Sequence, residues 1–502
     1  MSPPSDSDAD PRQDLDADSE PKPRSKKGAS AEEPPEEREV LSRGEVRIEG
    51  DVISYTASAA TLHLRDEDGK PKASIFHVSY VKEGVEDRSS RPITFAFNGG
   101  PGSSSVWLHL GALGPRRIEL PDASRPPPPP YRQVENEHSI LDLTDLVFID
   151  PVGTGHSRPL GEVKGSDYHG VQEDVDSMAE FIRLYLSRHG RWNSPRFLAG
   201  ESYGTTRSAA LVAKLHEEGI VCSGVLLLSA ALNFQTFIFE AGNDLPHILY
   251  LPSYAATAWL HHALEERPAE LGQLLEEVKE FAIGEYAHAL FQGSKLGAKE
   301  REAVVARLSR YTGLSRTWLE RADLRIEIGR FARELLRDRG ITVGRLDSRY
   351  TGMEPDAVGE SLQDDPSFSG PMGPFTAVMN DYLAGELGFV EQGRYEVLSM
   401  KVNEGWRWSE ERRLGYVNTT AALRRTMLSN PHLKVFFANG IYDLATPFFA
   451  SEHTASHLGA EAHIRANIVE AFYEAGHMMY LHPPSRAKLR QDMAAFYGAA
   501  LG

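Results

Sequence analysis

The stretch Leu198-Ala199-Gly200-Glu201-Ser202-Tyr203-Gly204-Thr205 restricts this chain more than any other. It holds Gly-x-Ser-x-Gly, the pattern of a nucleophile elbow. A serine hydroxyl is a poor nucleophile at neutral pH, so it must stand exposed at a sharp strand-to-helix turn within reach of a base. Gly200 and Gly204 lack Cβ atoms and let the backbone turn without a clash. Pro195 to Ala199 reads as a short buried strand entering the turn. Thr205 to Glu218 carries Ala209, Leu211, Ala213 and Leu215 and reads as a helix leaving it. Strand, turn and helix are the context that gives this short pattern its meaning.

Around that turn the chain has room for a large core. Its 502 residues allow two or three domains, and 41% hydrophobic with 25% charged residues is the composition of a soluble globular protein. The formal charge of −18 argues against a nucleic-acid partner, whose phosphates would be repelled. Cys222 is the single cysteine, so no intrachain disulfide can form, which suits a reducing compartment. No apolar run is long enough for a transmembrane helix, and no membrane association is expected. The N-terminus lacks the basic-then-apolar pattern of a signal peptide. A cytoplasmic protein is the favoured expectation, the alternative being a leader absent from this chain. Oligomeric state is left open.

Residues 1–39 are rich in Ser, Pro, Asp, Glu and Lys, cannot bury enough apolar surface to offset ordering entropy, and are expected to be a disordered tail. The cluster Arg24-Ser25-Lys26-Lys27 reads as a solvated charge run. Structure is expected from about Gly44, with alternating strands at 46–48, 52–55, 61–64 and 74–81 and a turn at 66–71. Pro92 to Phe97 is an apolar strand running into Asn98-Gly99-Gly100-Pro101-Gly102-Ser103-Ser104-Ser105, a loop shaped for close backbone approach. Its N–H groups could line an oxyanion hole. Five prolines at 126–130 mark a surface connector. Buried strands follow at 146–149 and 224–229, with helical spacing over 174–189 between them.

This alternation predicts an α/β fold: a central, mostly parallel sheet flanked by helices. The division expected is a tail over 1–39, an N-terminal part of the core over 40–232, a mainly helical insertion over 233–404, and a C-terminal part over 405–502. Helical periodicity over 260–281 and 299–336 places the insertion over the sheet's C-terminal edge, as a cleft wall. The sheet resumes at 433–438, a last strand is expected over 464–472, and a final helix over 484–497.

Ser202, Asp443 and His477 each fall just past the C-terminal end of a predicted buried strand, where sites assemble in open α/β sheets. Their chain order, nucleophile, acid, base, is that of α/β-hydrolases. His477 would take the Ser202 proton and pass it to the leaving group. Asp443 would hold the imidazole's tautomer.

Asn98-Gly-Gly-Pro-Gly-Ser-Ser-Ser, Gly200-Glu-Ser-Tyr-Gly, the Asp443 loop and Gly476-His477-Met478 together resemble the serine carboxypeptidase family, from roughly Gly44 to the C-terminus. The resemblance implies a hydrolase that removes C-terminal residues from peptides through an acyl-enzyme, with no cofactor. It implies an oxyanion hole from the N–H groups of Gly100 and Tyr203. It implies that Asn98, the Gly99 backbone and Glu201 bind the substrate's terminal carboxylate. Two touching carboxyl groups must share a proton, so peptide hydrolysis is expected to favour acidic pH. The chain departs from the family pattern at Phe97, where Trp is usual, and at Ser103, where a disulfide Cys is usual. It departs again at Ala112, where some members carry a second Glu. The missing disulfides suggest a bacterial-type branch.

Two other readings stay open. The same triad serves an acyltransferase or esterase acting on a small acyl substrate. A non-catalytic binding protein can also occupy a hydrolase scaffold. Glu452, His453 and His457 have helical spacing but no third ligand is identifiable, so they read as a solvated helix face and no metal is assigned.

Overall fold

The computed structural model describes residues 35–123, 125–408 and 415–502. The expected disorder over residues 1–34 and the Arg24 to Lys27 cluster lie outside them. The chain enters through an antiparallel hairpin series: β1 (Glu39–Ile48), β2 (Asp51–Arg65) and β3 (Pro71–Lys82). Two expectations are corrected here. The first strand starts at Glu39 instead of near Gly44, because Glu39 to Arg43 pair with Thr56 to Ala60. The two strands expected at 52–55 and 61–64 are one, because Ala57-Ser58-Ala59-Ala60 is paired on both sides, by β1 and β3.

The parallel part of the sheet comprises β4 (Ile93–Phe97), β5 (Asp145–Ile149), β6 (Arg196–Glu201), β7 (Gly224–Leu228), β8 (Lys434–Gly440) and β9 (Ile468–Tyr473). The order across the sheet is β1-β2-β3-β5-β4-β6-β7-β8-β9, with Arg158–Pro159 pairing β3. The central strands are apolar without interruption because helices cover both faces. Phe95, Leu198, Val225, Leu227, Val435 and Phe437 point to one face, against α1 (Val171–Arg188) and α2 (Tyr203–Glu217). Their neighbours Phe197, Ala199, Leu226, Phe436 and Ala438 point to the other, where Leu489, Met493, Phe496 and Tyr497 of the C-terminal helix (Pro483–Leu501) pack. Each such large apolar side chain contributes about 1.5–3 kcal/mol on burial.

Between β7 and β8 the described chain is mainly helical, with long helices α3 (Leu245–Leu260), α4 (Leu271–Phe281), α5 (Ala298–Thr312) and α6 (Pro366–Ala384). The helix expected over 260–281 starts only at Leu271, because 261–270 is a loop in which Pro268 lacks an N–H and its carbonyl accepts from Trp259 Nε1 at 2.8 Å. The stretch over 299–336 is divided among Ala298–Thr312, Arg316–Arg321 and Ile328–Glu334. The strand expected from Ile464 begins at Ile468, after a helical turn at Ala462–Ala466. Helices of this segment share an apolar cluster with Tyr442, Leu444, Phe448 and Phe449, the residues around the loop after β8. The loops after β4, β6, β8 and β9 therefore meet at one sheet edge, beneath the helical segment.

Candidate active site

The elbow is built by close backbone contact. A Cβ on Gly200 would lie 2.2 Å from Gly204 O, and one on Gly204 would lie 2.8 Å from Phe97 O. Ser202 sits at φ 60° and ψ −128°, a left-handed conformation that costs a non-glycine residue about 1–3 kcal/mol. It is held there by its own N–H donating to Leu228 O at 3.0 Å and by Thr205 Oγ1 donating to its carbonyl at 2.6 Å. Ser202 alone among Glu201 to Thr205 is partly exposed.

The glycine loop after β4 lies against the start of α2. A Cβ on Gly99 would come within 2.5 Å of Tyr203 N, so only glycine fits. Tyr203 opens α2, and its N–H has no intrahelical acceptor. Among the described residues the Gly100 N–H makes no backbone hydrogen bond. Two donors are thus left beside the serine. The loop is fixed from behind: Arg207 Nη1 donates to Asn98 O at 2.6 Å, and Arg207 Nε donates to Asp174 Oδ2 at 2.7 Å. Tyr203 OH donates to the same Asp174 oxygen at 3.1 Å. Arg207, Asp174 and Tyr203 are all buried, and together they tie α1, α2 and the glycine loop.

His477 and Asp443 are also buried, and Nδ1 of His477 lies 2.7 Å from Asp443 Oδ2. Asp443 accepts further from the N–H groups of Ala445 and Thr446, at 2.7 and 3.0 Å, and from Thr446 Oγ1 at 2.7 Å. With Nδ1 donating to Asp443, the neutral imidazole carries its free lone pair on Nε2. Burial alone would lower the His477 pKa. The Asp443 carboxylate outweighs it, with help from Glu201, and the imidazole is raised above its ordinary value. Ser229 Oγ donates to His477 O at 2.7 Å and fixes the base's backbone. Among the described residues no hydrogen bond joins Ser202 Oγ to His477. Both side chains line one cavity of about 290 Å³.

Asn98, Gly99, Gly100 and Glu201 line the same cavity. Asn98 Oδ1 accepts from Leu108 N–H at 3.0 Å, which leaves its amide N–H groups as donors. Glu201 is buried, and burial pushes its carboxyl up to about 7, against the opposing pull of His477 and of a hydrogen bond from Tyr480. Ala112 is buried and brings no charge to this network; its carbonyl accepts from Asn136 Nδ2 at 2.9 Å. Asn98, Gly99, Gly100, Glu201, Ser202 and His477 thus line one cavity, with Asp443 behind His477 and the Tyr203 N–H against Gly99, whereas Glu452, His453 and His457 do not line it. Missed were Arg207, Asp174, Ser229 and Tyr480, whose partners are distant in the chain. Missed too were Arg345 and Asp365, which line the cavity from the helical segment. The rings of His453 and His457, on and just past the helix after Asp443, lie tilted by 35° with centroids 4.0 Å apart, and among the described residues no group of three metal-ligating side chains occurs.

A family profile described as serine carboxypeptidase matches residues 65–274. The pheromone-processing carboxypeptidase KEX1 of Phytophthora infestans is 31% identical over 141 residues, 28% of this chain and 21% of that protein. Serine-type carboxypeptidase F of Aspergillus niger is 28% identical over 189 residues, 36% of this chain and 32% of that protein. These matches thus span between a fifth and a third of the relatives' length. Among solved structures, KEX1(delta)p of Saccharomyces cerevisiae, a prohormone-processing carboxypeptidase, superposes with a TM-score of 0.55 at 15% identity. That likeness covers 88% of this chain and 91% of that one, and it shows an α/β-hydrolase fold.

Proposed function

We propose that this chain, which belongs to the serine carboxypeptidase family, hydrolyses the last peptide bond of substrates with a free C-terminus, through an acyl-enzyme. The observation that carries the reading is one cavity lined by Ser202, His477, Gly100, Asn98 and Glu201. A serine with a base and amide donors makes an acyl-transfer centre. An amide and a proton-bearing carboxyl beside it make a seat for a carboxylate.

Ser202 Oγ attacks the scissile carbonyl as His477 Nε2 takes its proton, and Asp443 stabilises the imidazolium. The Gly100 and Tyr203 N–H groups receive the charge that develops on the carbonyl oxygen. The C–N bond breaks, His477 gives its proton to the amine, and the released amino acid departs. Water, deprotonated by His477, then attacks the acyl-Ser202 ester and frees the shortened peptide. Unliganded enzymes often hold the serine and histidine loosely and tighten them on substrate. At the leaving side, Asn98 and a protonated Glu201 hydrogen-bond the terminal carboxylate without two negative charges meeting.

The test is digestion of a mixed peptide library, with free and amidated C-termini, followed by mass spectrometry. Loss of one residue at a time from free ends, absent in Ser202→Ala, is the expected result. Internal cuts, or equal attack on amidated ends, would refute it. Labelling of Ser202 by a serine-directed phosphonate with no peptide cleavage would favour an esterase or acyltransferase.

A further inference from the structure

Tyr480 belongs to the turn that follows His477, and it enters no step above. Its ring is fully buried, and its hydroxyl lies 2.7 Å from Glu201 Oε2. The ring is seated over Gly111: a Cβ there would come within 2.4 Å of Tyr480 Cε2 and 3.4 Å of Phe375 Cζ. Glycine at 111 leaves the space that the phenol ring fills. Glu201 lines the cavity whereas Tyr480 does not, so Oε2 is the oxygen turned away from substrate and Oε1 the one toward it.

We propose that Tyr480 is a positioning residue for carboxylate recognition: it donates its hydroxyl proton to Glu201 Oε2 and so keeps the carboxyl's own proton on Oε1, facing the substrate. The inference rests on the proposed carboxypeptidase reading. Among the described residues the Tyr480 hydroxyl has no partner besides Glu201. Were Glu201 to carry its proton on Oε2 and donate to the phenol, the phenol's own hydrogen would be buried without an acceptor. That arrangement loses one hydrogen bond relative to donation by Tyr480. Burial raises the phenol far above its ordinary range, so it stays a donor at every working pH. A Tyr–Glu pair also differs in kind from two carboxyls sharing a proton. Only one of its members titrates, so the seat switches with a single ionisation.

The other groups facing Glu201 are few. His477 and Asp443 act from the loops after β9 and β8, with opposite signs, and the neutral Asn98 amide acts from the loop after β4. Tyr480 is the donor that can be removed without altering the triad or the glycine loop.

The experiment compares wild type with Tyr480→Phe. It follows the Glu201 carboxyl band by isotope-edited infrared difference spectroscopy across pH, with Glu201→Gln to identify the band. Kinetics are measured in parallel on free and amidated peptides. A donor to the charged carboxylate favours ionisation, so its loss should move the Glu201 midpoint upward by about one pH unit. KM for free-carboxylate peptides should rise about tenfold, with kcat changed far less. The KM effect should vanish in the Glu201→Gln background, which has no carboxyl proton to place, whereas a general packing defect would persist there. 3,5-Difluorotyrosine at position 480, a stronger donor of nearly the same shape, should move the midpoint downward, and it serves if Tyr480→Phe does not fold. An unmoved infrared midpoint in both variants would overturn the proposal. If wild type fails to distinguish free from amidated peptides, the carboxypeptidase reading falls, while the infrared shift still decides the role of Tyr480.

Discussion

Glu201→Gln tests the proton on which carboxylate recognition is argued to depend. Burial places the Glu201 carboxyl at about 7, well above the ordinary carboxylate range. Around that midpoint the protonated fraction falls from about nine-tenths at pH 6 to about one-tenth at pH 8. If only the protonated carboxyl accepts a terminal carboxylate, kcat/KM for free peptides should drop about tenfold over that interval. Amidated peptides and esters need no such proton and should lack this limb. Protonation of Glu201 also removes a charge that supports the His477 imidazolium, so His477 stays neutral to a lower pH than it would beside an ionised Glu201. Glutamine is neutral throughout, and the variant should lose the alkaline limb for free peptides whatever its absolute rate. Stopped assays on matched free and amidated peptides, at half-unit steps from pH 5 to 9, measure it. A tenfold fall shared by both substrate types, or an alkaline limb retained in Glu201→Gln, would refute the reasoning.

Other consequences are open to direct measurement. Because the raised Glu201 pKa disfavours its ionised form, its share of stability is full below about 4.5 and lost as pH rises through about 7. The unfolding free energy of wild type minus that of Glu201→Gln should therefore fall by up to about 3 kcal/mol across that window in urea titrations. Asp443→Asn can present an amide N–H to His477 Nδ1 and put the imidazole proton on Nε2. It should cut kcat about 10³- to 10⁴-fold while circular dichroism is unchanged. Arg207→Met leaves Asp174 buried without its cation, and chemical denaturation should show a loss of about 3–5 kcal/mol. Gly440→Ala would place a Cβ 2.1 Å from Gly476 O, so the loop carrying His477 must shift; a stability loss of about 1–3 kcal/mol and a drop in kcat/KM are expected.

The parts of this protein readable from its sequence are those encoded by neighbours in the chain. The turn at Ser202 declares itself through Gly200 and Gly204, and the central strands through unbroken apolar runs such as Val225 to Leu228. The placement of Asp443 and His477 needed only the rule that sites gather where parallel strands end. What stayed hidden depends on partners hundreds of positions apart. Tyr480 meets Glu201 across 279 residues, and nothing beside Tyr480 in the chain marks it as polar. Nothing next to Arg207 in the chain shows that Asp174 and Asn98 enclose it. The strand over Ala57 to Ala60 was obscured because small residues carry little alternation, although pairing on both edges fixes it. The helical segment kept its cavity-facing residues concealed, because Arg345 and Asp365 lie in non-helical stretches where periodicity says nothing.

One junction in that segment links choice of substrate to catalysis. The carbonyl of Arg345 accepts from Leu444 N–H at 3.0 Å, and the carbonyl of the next residue, Leu346, accepts from His477 N–H at 2.6 Å. Adjacent peptide units thus clasp the acid's loop and the base's loop together, while both side chains face the cavity. Since the clasp uses main-chain atoms only, replacing either side chain can reshape the wall that reads a substrate and leave the spacing of acid and base alone. Adding or deleting a residue there would slide the clasp and disturb both at once. Diversity at this junction should therefore come by exchange of side chains and not by change of length.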